Sequence, residues 1–406
     1  MGALSGLKIV DLTTMLSGPY GAMLLADLGA EVIKIERPGT GDNARTMQLN
    51  KPQYCHMGMS SYFLTAGRNK KSVVLDLQRE PGREVFYDLV RACDVVYDNF
   101  RPGVLERLGA DYETLKTINP AIISCSISGF GLTGPGKDRP AFDGIVQAYG
   151  GGMSITGEPG REPMRAGIPI GDLCAGLFAG IGILAAAYAR LTTGIGQKID
   201  ISMLDCQVSL WNYMITMHTM SGEVPGQLGN QHFVHVPYGA YRTKDLYIFV
   251  AVIPDPHWPL FVNAMNIEAL REPRYLKRSE RQKDRERINA LVQEALLTRG
   301  VDEWLKLLSD AGIPCAPVNT VDRTVCDPQV LARDMMVDVT FPDGRVLRQP
   351  GNPIKLSASP DEFRPAPPLG QDTRQVLADL LHYSDERIAE VIRDAAAVGT
   401  ESGRDA

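Results

Sequence analysis

The side chains most able to do chemistry in this chain are a few carboxylates, arginines and glycine-rich turns. Asp172 is the most pointed of them. It follows Gly171 and stands immediately before a stretch, Leu173 to Ala189, that carries no charge. Aspartate is a preferred helix N-cap, so a purely structural role is open to it. The same position offers a chemical role, because the positive end of a helix dipole and its first unpaired N–H groups favour the ionised form. An ionised, positioned carboxylate is what covalent catalysis by aspartate requires. The small residues behind it, Ala175, Gly176, Ala179, Gly180 and Gly182, allow close helix packing or leave room for a bulky ligand.

Other motifs are weaker. Gly129-Phe-Gly131-Leu-Thr-Gly134 matches G-x-G-x-x-G, and Gly131 to Asp138 (GLTGPGKD) matches a P-loop except at its last position. Both fail on context. A P-loop needs a Ser or Thr hydroxyl where Asp138 stands. Pro135, Gly136 and Pro140 interrupt the helix that a dinucleotide fingerprint must open. The segment reads instead as a glycine-rich loop after a strand, a place where parallel sheets bind ligands. The six histidines show no metal-binding pattern; His232 and His235 have a compatible spacing but no Cys or carboxylate close by, so no metal is expected. No G-x-S-x-G elbow occurs, which leaves a serine hydrolase without support.

The elements that must position these groups follow from periodicity. Lys8–Thr13, Glu31–Glu36, Ser72–Leu77, Asp94–Phe100 and Ala121–Ser128 read as strands, with amphipathic helical stretches such as Pro19–Gly29 and Pro81–Cys93 between them. That alternation is the signature of a parallel sheet covered by helices. After Asp143 long helices dominate, broken by the strand-like Gln197–Met203. Tyr241–Val252 and Val337–Arg348 read as hairpins, Ile313–Thr320 as a strand, Ser279–Leu308 as helices, and the mixed charges of Arg271–Arg287 as a solvated helical face. Leu173–Ala189 is slightly short of the ~20 residues that span a bilayer, and a buried core helix is the better reading.

Composition narrows the class. With 406 residues, 44% hydrophobic and 22% charged, the chain is globular and long enough for two domains. Forty-two basic against 48 acidic residues give a formal charge of −6. This excludes a general nucleic-acid binder while leaving room for a local basic pocket. Seven scattered cysteines without C-x-x-C, and an N-terminus without a basic start and apolar core, fit a reduced cytoplasmic protein rather than a secreted or membrane one.

Taken together, GLKIVDLTTMLSGPYGAMLLADLGAEVIKIERPGTGD, NKKSVVLDL, DNFRPGVLERLG, SGFGLTGPG, GDLCAGLFAGIGILAAAYARLTTGIGQKIDISMLD, VPYGAYRTKD and PPLGQDT resemble family III CoA-transferases. This family includes formyl-CoA, carnitine and succinyl-CoA-dependent transferases and the α-methylacyl-CoA racemases. The blocks occur in family order from about residue 4 to residue 373. The resemblance implies an α/β fold with a Rossmann-like large domain, a smaller α/β domain, and an interlocked homodimer, a paralogous subunit being the alternative partner. Residues 1–205 would form the large CoA-binding domain, 206–230 a linker, 231–330 the small domain, and 331–406 a segment returning to the large one.

Residue by residue, the resemblance places the nucleophile on Asp172 and an auxiliary carboxylate on Asp143. It places contacts to coenzyme A on Arg37, Val73, Leu75, Asn99, Phe100 and Arg107, with Arg101 and Arg139 as further cations. Arginine forks and apolar walls suit a ligand with three phosphate groups and an adenine. The racemase branch carries a His-Asp pair where this chain has Phe142-Asp143. Phe142 cannot move a proton, so a two-base racemase or epimerase is the lesser reading. A non-catalytic CoA-binding subunit is a third, which Asp172 argues against. His232 to Tyr241 contains one glycine, unlike the glycine-rich run of formyl-CoA transferases. The expected reaction therefore moves CoA from a donor acyl-CoA, with succinyl-CoA foremost, to a carboxylic or dicarboxylic acid rather than to oxalate. His232, His235, Tyr238 and Tyr241 are candidates for contact with that acid.

Overall fold

The computed structural model describes residues 2–394, which divide into two units. The larger is assembled from Met1–Gly152, Ala166–Thr216 and the chain from Ala332 onward; the smaller from Met153–Arg165 and Met217–Leu331. Along the larger unit run β1 (Lys8–Asp11), α1 (Ser17–Asp27), β2 (Glu31–Glu36), β3 (Lys70–Val74), α2 (Glu80–Ala92), β4 (Val95–Asp98), β5 (Ile123–Ser128), α3 (Asp143–Tyr149), α4 (Ile170–Thr193), β6 (Lys198–Ser202) and α5 (Met203–Trp211).

The six strands form one parallel sheet in the order β3-β2-β1-β4-β5-β6. Chain order reverses between β1 and β4, which makes the crevice at their carboxyl ends the topological switch point where such sheets bind ligands. Helices cover both faces. In α2, Pro81 opens the helix, and Val85, Phe86, Leu89 and Val90 form one stripe, each 0% exposed. That stripe packs with Val10, Ile33, Ile35, Val73 and Leu75, and each such side chain contributes about 1.5–3 kcal/mol on burial.

The opposite face takes α1 and α4. These two helices cross so closely that a Cβ at Gly21 would lie 2.6 Å from the Gly176 carbonyl oxygen, and one at Gly176 would lie 2.5 Å from that of Ser17. Gly176 therefore serves helix packing here, while a Cβ at Gly180 would meet nothing within 4 Å. Its buried stripe of Cys174, Ala175, Ala179, Ile183 and Ala186 joins Ile9, Val95, Tyr97 and Ile127 in the core. α4 is long and apolar enough to cross a membrane, yet this stripe is sealed by protein.

Two helices occupy much of the segment expected as a linker, 206–230: the end of α5, then α6 (Tyr213–Ser221), within which the chain passes from one unit to the other. The smaller unit continues with β7 (Tyr238–Arg242), β8 (Tyr247–Ala251), α7 (His257–Met265), α8 (Arg285–Leu296), α9 (Val301–Asp310) and β9 (Cys315–Pro317). Its sheet is antiparallel, in the order β9-β8-β7, over a core of Ile248, Val250, Trp258, Phe261, Val292 and Trp304. The excursion 153–165 belongs to this unit because Gly229 N donates to Gly157 O at 2.9 Å, and Gln227 Nε2 to Thr156 O at 3.0 Å. The charged run 271–287 is not wholly solvated. Arg281 is 0% exposed, pairs with Asp255 at 2.7 Å, donates to the Val236 and Tyr275 carbonyls, and lies over Trp258.

Past the smaller unit come the hairpin β10 (Met336–Thr340) and β11 (Val346–Pro350), then α10 (Thr373–Asp379) and α11 (Asp385–Arg393). The chain returning from the hairpin runs along β3. Ser72 N donates to Asp372 Oδ2 at 2.7 Å and Val74 N to Thr373 Oγ1 at 3.1 Å, which satisfies the outer edge of the sheet.

Candidate active site

Asp172 is the third residue of α4, not its cap. The cap comes from another helix. Asp143, the first residue of α3, accepts at Oδ1 from Gly171 N at 2.8 Å and from Asp172 N at 3.4 Å. Its Oδ2 accepts from Gln147 Nε2 at 2.7 Å, and Gln147 Oε1 accepts from Ala166 N at 2.9 Å. Gly171 is needed for space: a Cβ there would meet Val146 Cγ2 at 2.7 Å and Asp143 Oδ1 at 3.0 Å.

This geometry corrects the electrostatic expectation for Asp172. The helix N–H groups that were to hold it ionised are spent on Asp143, whose own charge faces it. Burial first and Asp143 second push the Asp172 carboxyl up to about 6. At pH 7 roughly nine-tenths is still ionised, but as a more basic and hence more nucleophilic carboxylate. No ion pair is formed with it among the described residues.

The turn after α3 closes on its own helix, Gly150 N donating to Val146 O at 2.8 Å and Gly151 N to Ala148 O at 3.2 Å. Gly151 has φ +83, and Trp211 Nε1 anchors Gly150 O at 2.6 Å. Gln207 packs against Gly150, where a Cβ would approach its own to 2.7 Å. Gln207 is buried, and its Nε2 has no hydrogen-bond partner among the described residues.

The residues carried over for coenzyme A fall into two sets. Arg37, Asn99, Phe100, Arg101, Arg107 and Arg139 all lie on chain leaving the carboxyl ends of β2, β4 and β5, around the switch point. Arg101, Arg107 and Arg139 are exposed, Arg139 lying over the Tyr149 ring at 5.3 Å. Arg37 reaches Asn43 Oδ1 at 2.8 Å, and Phe100 is half-buried against the α2 core. Val73 and Leu75 form the second set and correct the expectation: their side chains are 0% and 1% exposed within the core, so they offer a ligand no apolar wall. Asn99 is also engaged internally. Its Oδ1 accepts from Thr14 N and its Nδ2 donates to Thr14 O, both at 2.8 Å, with Ser17 Oγ at 3.1 Å. Asn99 thus clamps the loop after β1 to the end of β4 across the switch point.

Gln147, Gln207 and Thr14 escaped the reading of the sequence. Gln147 alone left a trace, since it stands four residues after Asp143 and so shares its helix face. The glycine-rich run 129–136 is a loop, as expected, and Asp200 on β6 accepts from Leu132 N at 3.0 Å.

Comparison with known proteins agrees with this geometry. Residues 4–373 match the model of CoA-transferase family III. An acetyl-CoA:oxalate CoA-transferase of Acetobacter aceti is 38% identical over 371 residues, covering 90% of this chain and 92% of that one. A human succinyl-CoA:glutarate CoA-transferase is 34% identical over 391 residues, covering 96% and 88%. A crystal structure of a CaiB/BaiF family protein from Brucella suis superposes with a TM-score of 0.85 at 36% identity, covering 93% of this chain and 99% of that one. A match running from β1 to the return along β3 shows that the chain belongs to CoA-transferase family III and is a CoA-transferase acting on CoA thioesters.

Proposed function

We propose that the enzyme moves CoA from succinyl-CoA, or a similar donor, to a carboxylic or dicarboxylic acid through covalent intermediates on Asp172. The observation that carries this reading is the Asp172 carboxylate itself: in the first turn of α4, faced by a second carboxylate and raised to about 6. An Asp172 oxygen attacks the thioester carbonyl; the C–O bond forms, the C–S bond breaks, and CoA leaves as thiolate. The thiolate attacks the aspartyl carbonyl of the mixed anhydride, giving an aspartyl-CoA thioester and the free donor acid. The acceptor carboxylate then attacks that thioester, and the returning thiolate takes the acyl group. Acyl activation is conserved, so no ATP is consumed.

Each addition creates an oxyanion that needs donors. The buried Gln207 Nε2, which has no hydrogen-bond partner among the described residues, is our candidate. The cations leaving β2, β4 and β5 suit the phosphates of CoA. Glutarate and mesaconate transferases among the relatives, at 34% and 37% identity, support a dicarboxylate acceptor. Leu177, Ile181, Tyr188 and Leu191 leave the outer side of α4 apolar and 45–81% exposed, which supports assembly as a dimer.

Enzyme mixed with succinyl-CoA and hydroxylamine should yield an Asp172 hydroxamate by mass spectrometry. Asp172→Ala should lose at least about a thousandfold in exchange rate; full exchange by that variant would refute the assignment.

A further inference from the structure

Both oxygens of Asp143 are held, and only one holds the helix it caps. Gln147, one turn further along α3, is 3% exposed and spends both ends of its amide: Nε2 on Asp143 Oδ2 and Oε1 on Ala166 N. Ala166 is the residue at which the chain re-enters the larger unit after the excursion 153–165. The amide has one workable orientation, because exchanging its O and N would set acceptor against acceptor and donor against donor.

We propose that Gln147 is a positioning residue for the nucleophile: by pinning Asp143 Oδ2 it keeps Oδ1 on the N–H groups of Gly171 and Asp172, and so fixes where the first turn of α4 presents Asp172. The inference rests on the reading of Asp172 given above. Of the two bonds made by Oδ1, that to Asp172 N is the longer, 3.4 Å against 2.8 Å. It is the first to be lost if the carboxylate turns about its Cβ–Cγ bond. A nucleophile displaced by about 1 Å loses on the order of a hundredfold in rate.

The test uses the full-length enzyme with succinyl-CoA and a glutarate acceptor. Gln147→Met removes both polar ends at similar length; Gln147→Glu keeps an acceptor for Ala166 N but sets a carboxylate against Asp143. Both should lower kcat about 10- to 100-fold and leave KM for the acyl-CoA within about twofold. The reciprocal double variant Asp143→Asn/Gln147→Glu restores a donor–acceptor pair with its polarity reversed. It should recover about tenfold or more of the kcat lost by either single change. A support role for the chain at Ala166 alone predicts near-normal kcat for Gln147→Glu, and that result overturns the proposal. So does a double variant whose loss equals the product of the single losses. Should Gln147→Met not fold, Gln147→Glu and the reciprocal pair carry the test. Asp172→Asn separates the two claims. Exchange persisting there sinks the nucleophile reading. Exchange abolished there while both Gln147 variants turn over normally sinks the positioning role alone.

Discussion

Asp11, Glu36 and Asp42 lie buried at the ends of β1 and β2, with Lys70, Arg45 and Lys34 respectively 2.9, 2.7 and 3.0 Å away. Asp172, on the other flank of the same sheet face, has Asp143 beside it instead. Burial pushes all four carboxyls upward. Around Asp11 it is outweighed by Lys70 and Lys34, around Glu36 by Arg45 and Lys34, and around Asp42 by Lys34 and two backbone N–H groups, so these three end below the ordinary range. At Asp172 the neighbour adds to burial rather than opposing it. Among these four, the sign of the neighbouring charge decides the direction of the shift.

The comparison breaks most visibly at Asp11. Asp11→Asn leaves Lys70 buried beside Lys34, and removing one partner of a buried pair costs about 3–5 kcal/mol. Urea unfolding should show that loss; a cost under about 1 kcal/mol would mean the network holds little of the fold together. Asp172→Asn should act in the opposite direction. A carboxyl whose folded pKa lies above its unfolded value burdens the fold at high pH, and the burden fades as pH falls from about 6 toward 4. Discounted for partial exposure, the variant should gain about 1–2 kcal/mol at pH 8 and almost nothing at pH 4. For Asp11, Glu36 and Asp42 the folded pKa is lowered. Their contribution is present above pH ~4 and is lost as pH falls below it.

Activity sharpens the same contrast. As the proposed nucleophile Asp172 would attack in its ionised form, so kcat/KM should rise with pH through about 6, and Asp143→Asn should move that limb to lower pH. An unmoved limb would show that burial alone sets it. The smallest expected effect belongs to Asn99. Asn99→Ala unfastens the loop at Thr14 and should raise KM for acyl-CoA by about fivefold, worth ~1 kcal/mol, with kcat little changed.

Much of the α/β scaffold was legible in the sequence because apolar runs and turn residues act locally. β2 matches the stretch expected for it, and the two hairpins overlap theirs, β7 starting three residues early at Tyr238 and β10–β11 running from Met336 to Pro350. The buried charges were not legible. Lys34 in EVIKIE reads as a solvent-facing position of an alternating strand, yet it is 2% exposed because Asp42 and the Thr13 carbonyl meet it from loops distant in sequence. Val73 and Leu75 differ in the opposite direction: the family resemblance placed ligand contacts there, while α2 covers their side chains. Asp172, the proposed nucleophile, stood out from its place at the start of an uncharged stretch. Its cap did not, since Asp143 lies 29 residues away.

The stitching of β3 by Asp372 and Thr373 bears on how the chain is made. Ser72 meets its partner 300 residues later, so the sheet edge stays open until at least residue 372 has been synthesised. Contacts so far apart are slow to form, and an unpaired β3 is meanwhile a template for other chains. The order of synthesis therefore leaves this edge of the sheet exposed to misassembly until Asp372 and Thr373 arrive.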